Sequence, residues 1–398
     1  MLTRLNPDNL KAARAERKLG VEEVADFTAI RADRLALFET GNVAPTFKQV
    51  EKLSELYNVP VYAFYAEGRP NIESVPPDFR KRTPISADLT PRGLIRIWQV
   101  EKVAEFTHQL LIALGDNAPT RHQRQHSLEL TDDLAFALRA EFDEWLARHR
   151  SKLKLTGTTI ESTFKYLRLF METRGVLTAY NDAPEEDYLG FYQDFARGAK
   201  SVFVNRAVAS DRAQLFTLAH EFAHFVSGNE GISNPFVATN RIERLSNKFA
   251  AAFLAPDPLV LRIVDQASRF DRPDPQTLIK MVSSQSLLSF QAAAIRLREL
   301  QVLAAHEIRP IFRTYKLGHY AIEAGSQARK KKRSGGGRAS AVGRKVSETG
   351  VFATYVAAIA VAQKIIDPVD VGRGLNISEK LQPFVFEMAK KRFEASVD

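Results

Sequence analysis

The sequence predicts a multidomain α+β protein that is mostly α-helical. Three observations predict it. At 398 residues the chain is long enough for two to four domains of roughly 100–200 residues. Apolar residues recur at helical spacing along most of its length. Strand-like, β-branched runs are confined to two short segments between residues 176 and 205. A composition of 45% hydrophobic and 26% charged residues excludes wholesale disorder. The chain has no cysteine, which excludes disulfides, thiolate zinc fingers, cysteine-ligated clusters and a cysteine nucleophile. That absence is compatible with a reducing cytosol.

The elements follow in order. Residues 9–57 read as four short helices, the second broken near Thr28 and Ala29, with Gly41 and Pro45 as punctuation. Residues 67–91 are a Pro-rich linker. A helix is expected from Pro91 to about Leu114, and another helical run ends near His149 after a polar stretch over 115–127. Strands are expected at 176–180 and 201–205. Helical period then returns at Asp211 and runs to about Leu254, where Pro256 and Pro258 stop it. A further helical region ends near Ala305, residues 329–338 form a basic low-complexity arm, and 351–393 are helical again. The first residues carry no apolar signal-peptide core, and the longest apolar run, 351–362, is too short to span a bilayer. A cytoplasmic protein without a membrane partner is expected.

The net charge of +9 is unevenly placed. Between Arg309 and Gly350 eleven Lys and Arg face only Glu323 and Glu348, an excess equal to that of the whole chain. Residues 1–70 hold ten basic and ten acidic side chains. A nucleic-acid argument from charge therefore concerns the 329–338 arm, which reads equally as a solvated linker.

His220-Glu221-Phe222-Ala223-His224 carries the chemistry. In a helix, residues four apart share a face, so both imidazoles can bind one metal ion, with Glu221 beside them as general base. With 8 His in the chain, chance supplies about 0.01 such motifs. A hydrolytic zinc site has three protein ligands and an open position, and without cysteine the third ligand is His, Asp or Glu. Glu243 is the best placed, on a helix over 241–254 whose buried stripe is read as Ile242, Leu245, Phe249 and Phe253. Asn247 on an adjoining face can orient a ligand histidine. Glu230 and Asp257 are weaker alternatives, and Asn240 with Glu243 also fits a capping box. His306 and His319 lie beyond the Pro-punctuated boundary, and His319-Tyr320 reads as packing.

Residues 200–256 resemble the ImmA/IrrE family of metallopeptidases. The residues that carry the resemblance are Val204-Asn205, Arg212, the run from Phe216 through His224, the run from Glu243 to Ala250 and Leu254-Ala255-Pro256. Leu189-Gly190-Phe191, Asp78-Phe79-Arg80 and Arg296-Leu297 add weaker likeness. The resemblance implies zinc bound by His220, His224 and Glu243, with Glu221 as catalytic base. A mixed imidazole and carboxylate set also holds manganese.

The N-terminal packet resembles the Xre/Cro/cI helix-turn-helix. Val24-Ala25 fits the buried pair of the second helix, and Phe38-Glu39-Thr40-Gly41 fits the end of the recognition helix. The resemblance puts residues 31–38 in the major groove, with Arg31 and Arg34 as DNA contacts. Ala29 stands where the turn usually has Gly, Val21 where a polar phosphate contact usually begins the helix, and Asp33 puts negative charge on the reading face.

Together these give an N-terminal helix-turn-helix bundle, a zincin-like metallopeptidase domain with a small sheet, and a helical C-terminal region. The divisions expected are 1–66 helix-turn-helix, 67–150 linker and helical segment, 151–262 metallopeptidase, 263–308 helical, 309–350 basic arm and 351–398 helical tail. The expected function is a zinc endopeptidase joined to a DNA-binding domain, cleaving a transcriptional repressor in stress, phage or mobile-element control. The substrate would add as a strand along 201–205. The partners implied are DNA, a repressor-type protein substrate and no membrane, with a homodimer left open. The rival reading is a transcription factor or antitoxin-type regulator that uses the peptidase fold as sensor or scaffold.

Overall fold

The computed structural model describes residues 5–17, 19–57, 59, 61–68, 89–119, 128–155, 157, 159–194, 200–229, 231–233, 241–269, 273–314 and 338–397. They divide into two units, Met1–Gln99 and Val100–Asp398. The expected features at Asp78-Phe79-Arg80, Glu230, Asn240, His319-Tyr320 and 329–337 lie outside the described residues.

The first unit is built from α1 (Pro7–Glu16), α2 (Val21–Thr28), α3 (Ala32–Glu39), α4 (Phe47–Tyr57) and a 3-10 turn, Val61–Tyr65. Asn6 caps α1 by accepting from Asp8 N at 3.1 Å, and Pro7 supplies a preset first turn. The helices close on Leu10, Val24, Leu35, Phe38, Leu53 and Tyr57. Arg14 forks onto both carboxylate oxygens of Glu39 at 2.6 and 2.8 Å, tying α1 to α3. The break after Thr28 is real and is made without glycine: Ala29 takes a left-handed φ of 56°. A helix α5 (Pro91–Leu114) begins in this unit, where Ile95 and Trp98 join its core.

In the second unit, α6 (Asp132–His149) and α7 (Ile160–Glu172) precede a sheet of β1 (Leu177–Asn181), β2 (Gly190–Gln193), β3 (Ser201–Asn205) and β4 (Gly231–Ser233). The order is β1-β3-β2-β4. β1 and β3 are parallel, and β2 is antiparallel to both β3 and β4. The expected strands at 176–180 and 201–205 are present as β1 and β3. Residues 201–205 are interior, with partners on both sides and all five side chains buried. Their backbone groups are used by the ladders, so the expected addition of a substrate strand along 201–205 is wrong.

The loop 182–189 links β1 to β2, which lie on opposite sides of β3, so it must step across β3. Between Ala183 and Tyr188 its peptide groups lie outside the strand ladders, and the buried Asn205, last residue of β3, satisfies those at the two ends. Asn205 Oδ1 accepts from Ala183 N at 3.0 Å, and Nδ2 donates to the carbonyls of Ala183 and Tyr188, each at 3.0 Å. Asn205 N donates to Leu189 O at 2.8 Å.

The helical run expected from Asp211 to about Leu254, with a separate helix over 241–254, also contains a short strand. It holds α8 (Asp211–Ser227), then β4, then α9 (Arg241–Leu254). Ser210 caps α8, and Gly228 ends it at φ 67°, a left-handed stop that glycine takes without strain. α8 lies on β2 and β3 and against α7 and α9. Beneath it Phe142, Phe170, Phe222, Phe249 and Phe253 pack ring to ring. Each buried ring contributes about 1.5–3 kcal/mol, enough to hold α8 as a fixed platform.

The helices α10 (Asp257–Ala267), α11 (Pro275–Gln285), α12 (Phe290–Glu299) and α13 (Ala305–Thr314) complete this core. The helical region does not end at Ala305; a new helix starts there and carries Pro310 inside it. Arg212 of α8 donates to the carbonyls of Ser286 at 3.0 Å and Leu288 at 2.6 Å, fixing the α11–α12 turn. The last helices are α14 (Arg338–Thr349), α15 (Val351–Ala362), α16 (Pro368–Leu375) and α17 (Gln382–Glu394). The apolar run 351–362 is therefore a core helix, with Phe352, Ala353, Val356, Ala357 and Ala360 buried. Among the described residues no single helix is long and apolar enough to cross a membrane.

Candidate metal centre

α8 is buried around almost its whole circumference, which places His220, Glu221 and His224 inside the protein. The four-residue spacing stacks the two imidazoles on one face, with Nε2 atoms 3.0 Å apart. Glu243 lies in the first turn of α9, and its carboxylate oxygens stand 3.2 Å from His220 Nε2 and 3.4 Å from His224 Nε2. The carboxylate is thus turned onto the imidazoles. Asp257, the weaker alternative, is engaged by Arg296, and His306 is exposed on α13.

One correction concerns α9. Its buried stripe is Glu243, Ser246, Phe249 and Phe253, whereas Ile242 is 40% exposed. The helix is rotated so that its acidic residue, rather than its first isoleucine, faces the core.

The outer ring nitrogens are also held. His220 Nδ1 donates to Asn247 Oδ1 at 2.9 Å, and His224 Nδ1 donates to the Asn229 carbonyl at 2.9 Å. With both Nδ1 atoms donating, a neutral imidazole presents an Nε2 lone pair. Two such lone pairs and a carboxylate then meet in one buried place, with ligand atoms within 4.8 Å of one another. Lone pairs so close repel unless a positive group lies between them. Burial pushes His220 below the usual imidazole pKa and so favours its neutral form. The set is anionic, has two nitrogen donors and one oxygen donor, and fits a divalent cation such as zinc or manganese.

Residues 171–298 match the family model of the IrrE N-terminal-like domain, Peptidase_M78. No curated protein and no solved structure matches the chain. The IrrE-like segment contains the sheet, α8 and α9, and so every residue of the donor set. Its likeness is to a metallopeptidase family, and it carries a His-His-Glu group able to hold a metal ion.

The roles of three contributors were not read from the sequence, although Gly190 and Asn205 stand among the residues that carry the resemblance. Asn229 acts through its carbonyl, which any residue has, although the stop at Gly228 that delivers it was a readable helix end. Gly190 faces the Glu221 carboxylate, and Asn205 anchors the loop that leads to it. The other expected site residues, Arg31 and Arg34, lie in the first unit at the start of α3. Arg31 is exposed and forks onto Asp33 at 2.8 and 3.1 Å, so the negative charge on this face is matched by Arg31 itself. The Arg34 guanidinium lies 5.9 Å from the Phe38 ring centroid.

Proposed function

We propose that the chain is a metal-dependent endopeptidase, with zinc as the resident ion held by His220, His224 and Glu243. The observation that carries this is the convergence of the two Nε2 atoms and the Glu243 carboxylate, with Glu221 next along the same helix. A divalent cation there supplies Lewis acidity toward a peptide carbonyl and lowers the pKa of water. Glu221 takes the proton from the attacking water and returns it to the departing amine. Asn247 and the Asn229 carbonyl keep the two rings oriented.

The first unit is read as a helix-turn-helix that binds DNA through α3, with Arg31 and Arg34 as contacts. The short linked helices α2 and α3 support this. A repressor-type protein is the proposed substrate, so that cleavage changes transcription, and the cytoplasm is the proposed compartment. The test is incubation of the zinc-loaded protein with a repressor encoded beside it, comparing wild type with Glu221→Gln. Cleavage by wild type alone supports catalysis. Equal regulation by both, lost in His220→Ala, would leave the metal as a sensor in a transcription factor.

A further inference from the structure

Gly190 sits in β2, paired with Val204 of β3 on one side and Ser233 of β4 on the other. Its φ is not among the positive values of the described glycines, so the backbone conformation there does not call for glycine. Space does. A Cβ at this position would lie 2.6 Å from Thr217 Cγ2, 2.9 Å from Glu221 Oε1 and 2.9 Å from the Phe203 carbonyl oxygen. The bare Cα of Gly190 is therefore the wall against which the Glu221 carboxylate rests. Ladders on both sides keep β2 from retreating, and the Asn205 N bond to Leu189 O fixes the residue before it. Thr217, one turn before Glu221 on α8, closes the same space with its methyl. Its buried hydroxyl has no hydrogen-bonding partner among the described residues, so the methyl is its contribution here.

The geometry points to Gly190 as a positioning residue for Glu221: the absence of a side chain on β2 sets where the carboxylate stands beside the two histidines. This rests on Glu221 being the base of the proposed peptidase. A methyl at 190 has three close neighbours, the Thr217 methyl, the Glu221 carboxylate and the Phe203 carbonyl. The Thr217 methyl sits on a stiff β-branched side chain and the Phe203 oxygen on a paired strand, so the end of the longer, unbranched Glu221 side chain gives way most readily, together with a small shift of β2. His220, His224 and Glu243 are not among the three atoms nearest that methyl.

The test uses the full chain loaded with zinc and acetohydroxamate as probe, since a hydroxamate chelates the metal and hydrogen-bonds to a neighbouring carboxylate. Zinc affinity and acetohydroxamate affinity are measured by calorimetry for wild type, Gly190→Ala, Glu221→Gln and the double variant. Gly190→Ala is expected to keep zinc affinity within about two-fold and to weaken acetohydroxamate by roughly ten- to a hundred-fold, the size of one hydrogen bond to a charged group. Glu221→Gln should lose a similar factor, and the double variant no more than either, because both changes act on one group. Adding Thr217→Ser to Gly190→Ala removes the closest contact and should recover part of the loss. Wild-type acetohydroxamate affinity in Gly190→Ala, or a loss that adds in full to that of Glu221→Gln, overturns the assignment. So does zinc affinity as poor as that of His220→Ala. If Gly190→Ala does not fold, Thr217→Ser alone loosens the carboxylate and should weaken the probe several-fold, with no effect in a Glu221→Gln background. Unchanged probe affinity in the Thr217→Ser single variant also overturns it. A wild-type protein that takes zinc and acetohydroxamate but cleaves no protein sinks the peptidase reading and leaves Gly190 in place. One that takes no zinc sinks both.

Discussion

Asn247 accepts a 2.9 Å hydrogen bond from Nδ1 of His220, one helical turn beyond Glu243 on the same helix. One face of α9 thus supplies both a carboxylate to the donor set and the group that fixes a donor's tautomer. Asn247→Ala should lower zinc affinity by about 10–100-fold without removing a ligand. Chelator competition reads this directly, and unchanged affinity would show the bond to be incidental.

Glu221→Gln keeps side-chain size and removes the proposed base. Zinc content should be retained, while cleavage of the partner falls by roughly 10²–10⁴-fold. The comparison is of single-turnover rates at equal zinc occupancy. A smaller loss than ten-fold would assign the proton transfer elsewhere.

The buried carboxyl of Glu172 accepts from Phe352 N at 2.7 Å and from the Thr178 hydroxyl, joining the end of α7 to the start of α15. Burial raises its pKa above the ordinary 4.5, against the pull of Arg168. The folded protein therefore holds this proton more tightly than the unfolded chain does. This group's contribution to stability is greatest below pH 4.5 and falls as pH rises toward the folded value. Glu172→Gln should remove that part of the slope, as measured by urea unfolding between pH 4.5 and 7. A slope identical to wild type would mean that the carboxyl is ionised throughout.

Gly350 has φ 87°, and a Cβ there would meet Glu172 Oε1 and the Thr178 carbonyl, both at 3.0 Å. Gly350→Ala should destabilise by about 1–3 kcal/mol, from strain at positive φ plus this crowding. A thermal midpoint unchanged within a degree would refute it.

If α3 contacts DNA, Arg34→Ala in the full chain should reduce the slope of log affinity against log salt by about 0.9, one phosphate's worth. Asp33→Asn should strengthen binding by releasing Arg31 from its ion pair. Fluorescence anisotropy with a specific and a random duplex measures both, and indifference to both changes would leave α3 as a protein-binding surface.

The donor set was legible because it depends on local spacing: two histidines four apart, and an acidic residue four before an amide on the next helix. The four N-terminal helices were legible for the same reason. β2 and β4 were not, since short strands of three or four residues have no period of their own and exist through their pairing with β3 and each other. The interior position of β3 was hidden likewise, and with it the error about strand addition. Ile242 misled because its apolarity suggested burial, whereas the demand of Glu243 for the histidines sets the rotation of α9.

Surface loops usually absorb insertions and deletions at little cost. The loop 182–189 is an exception that its position would not announce. Asn205 measures its length from below, clasping Ala183 near one end and Tyr188 near the other. Adding or removing one residue between them would offset β2 by one place and reverse which side each of its residues faces. Leu189 or Phe191 would then arrive where Gly190 now stands, a bulky group against the Glu221 carboxylate. Chain length in this loop is accordingly a property of the candidate metal centre, and variation there should be as damaging as a change to the histidines themselves.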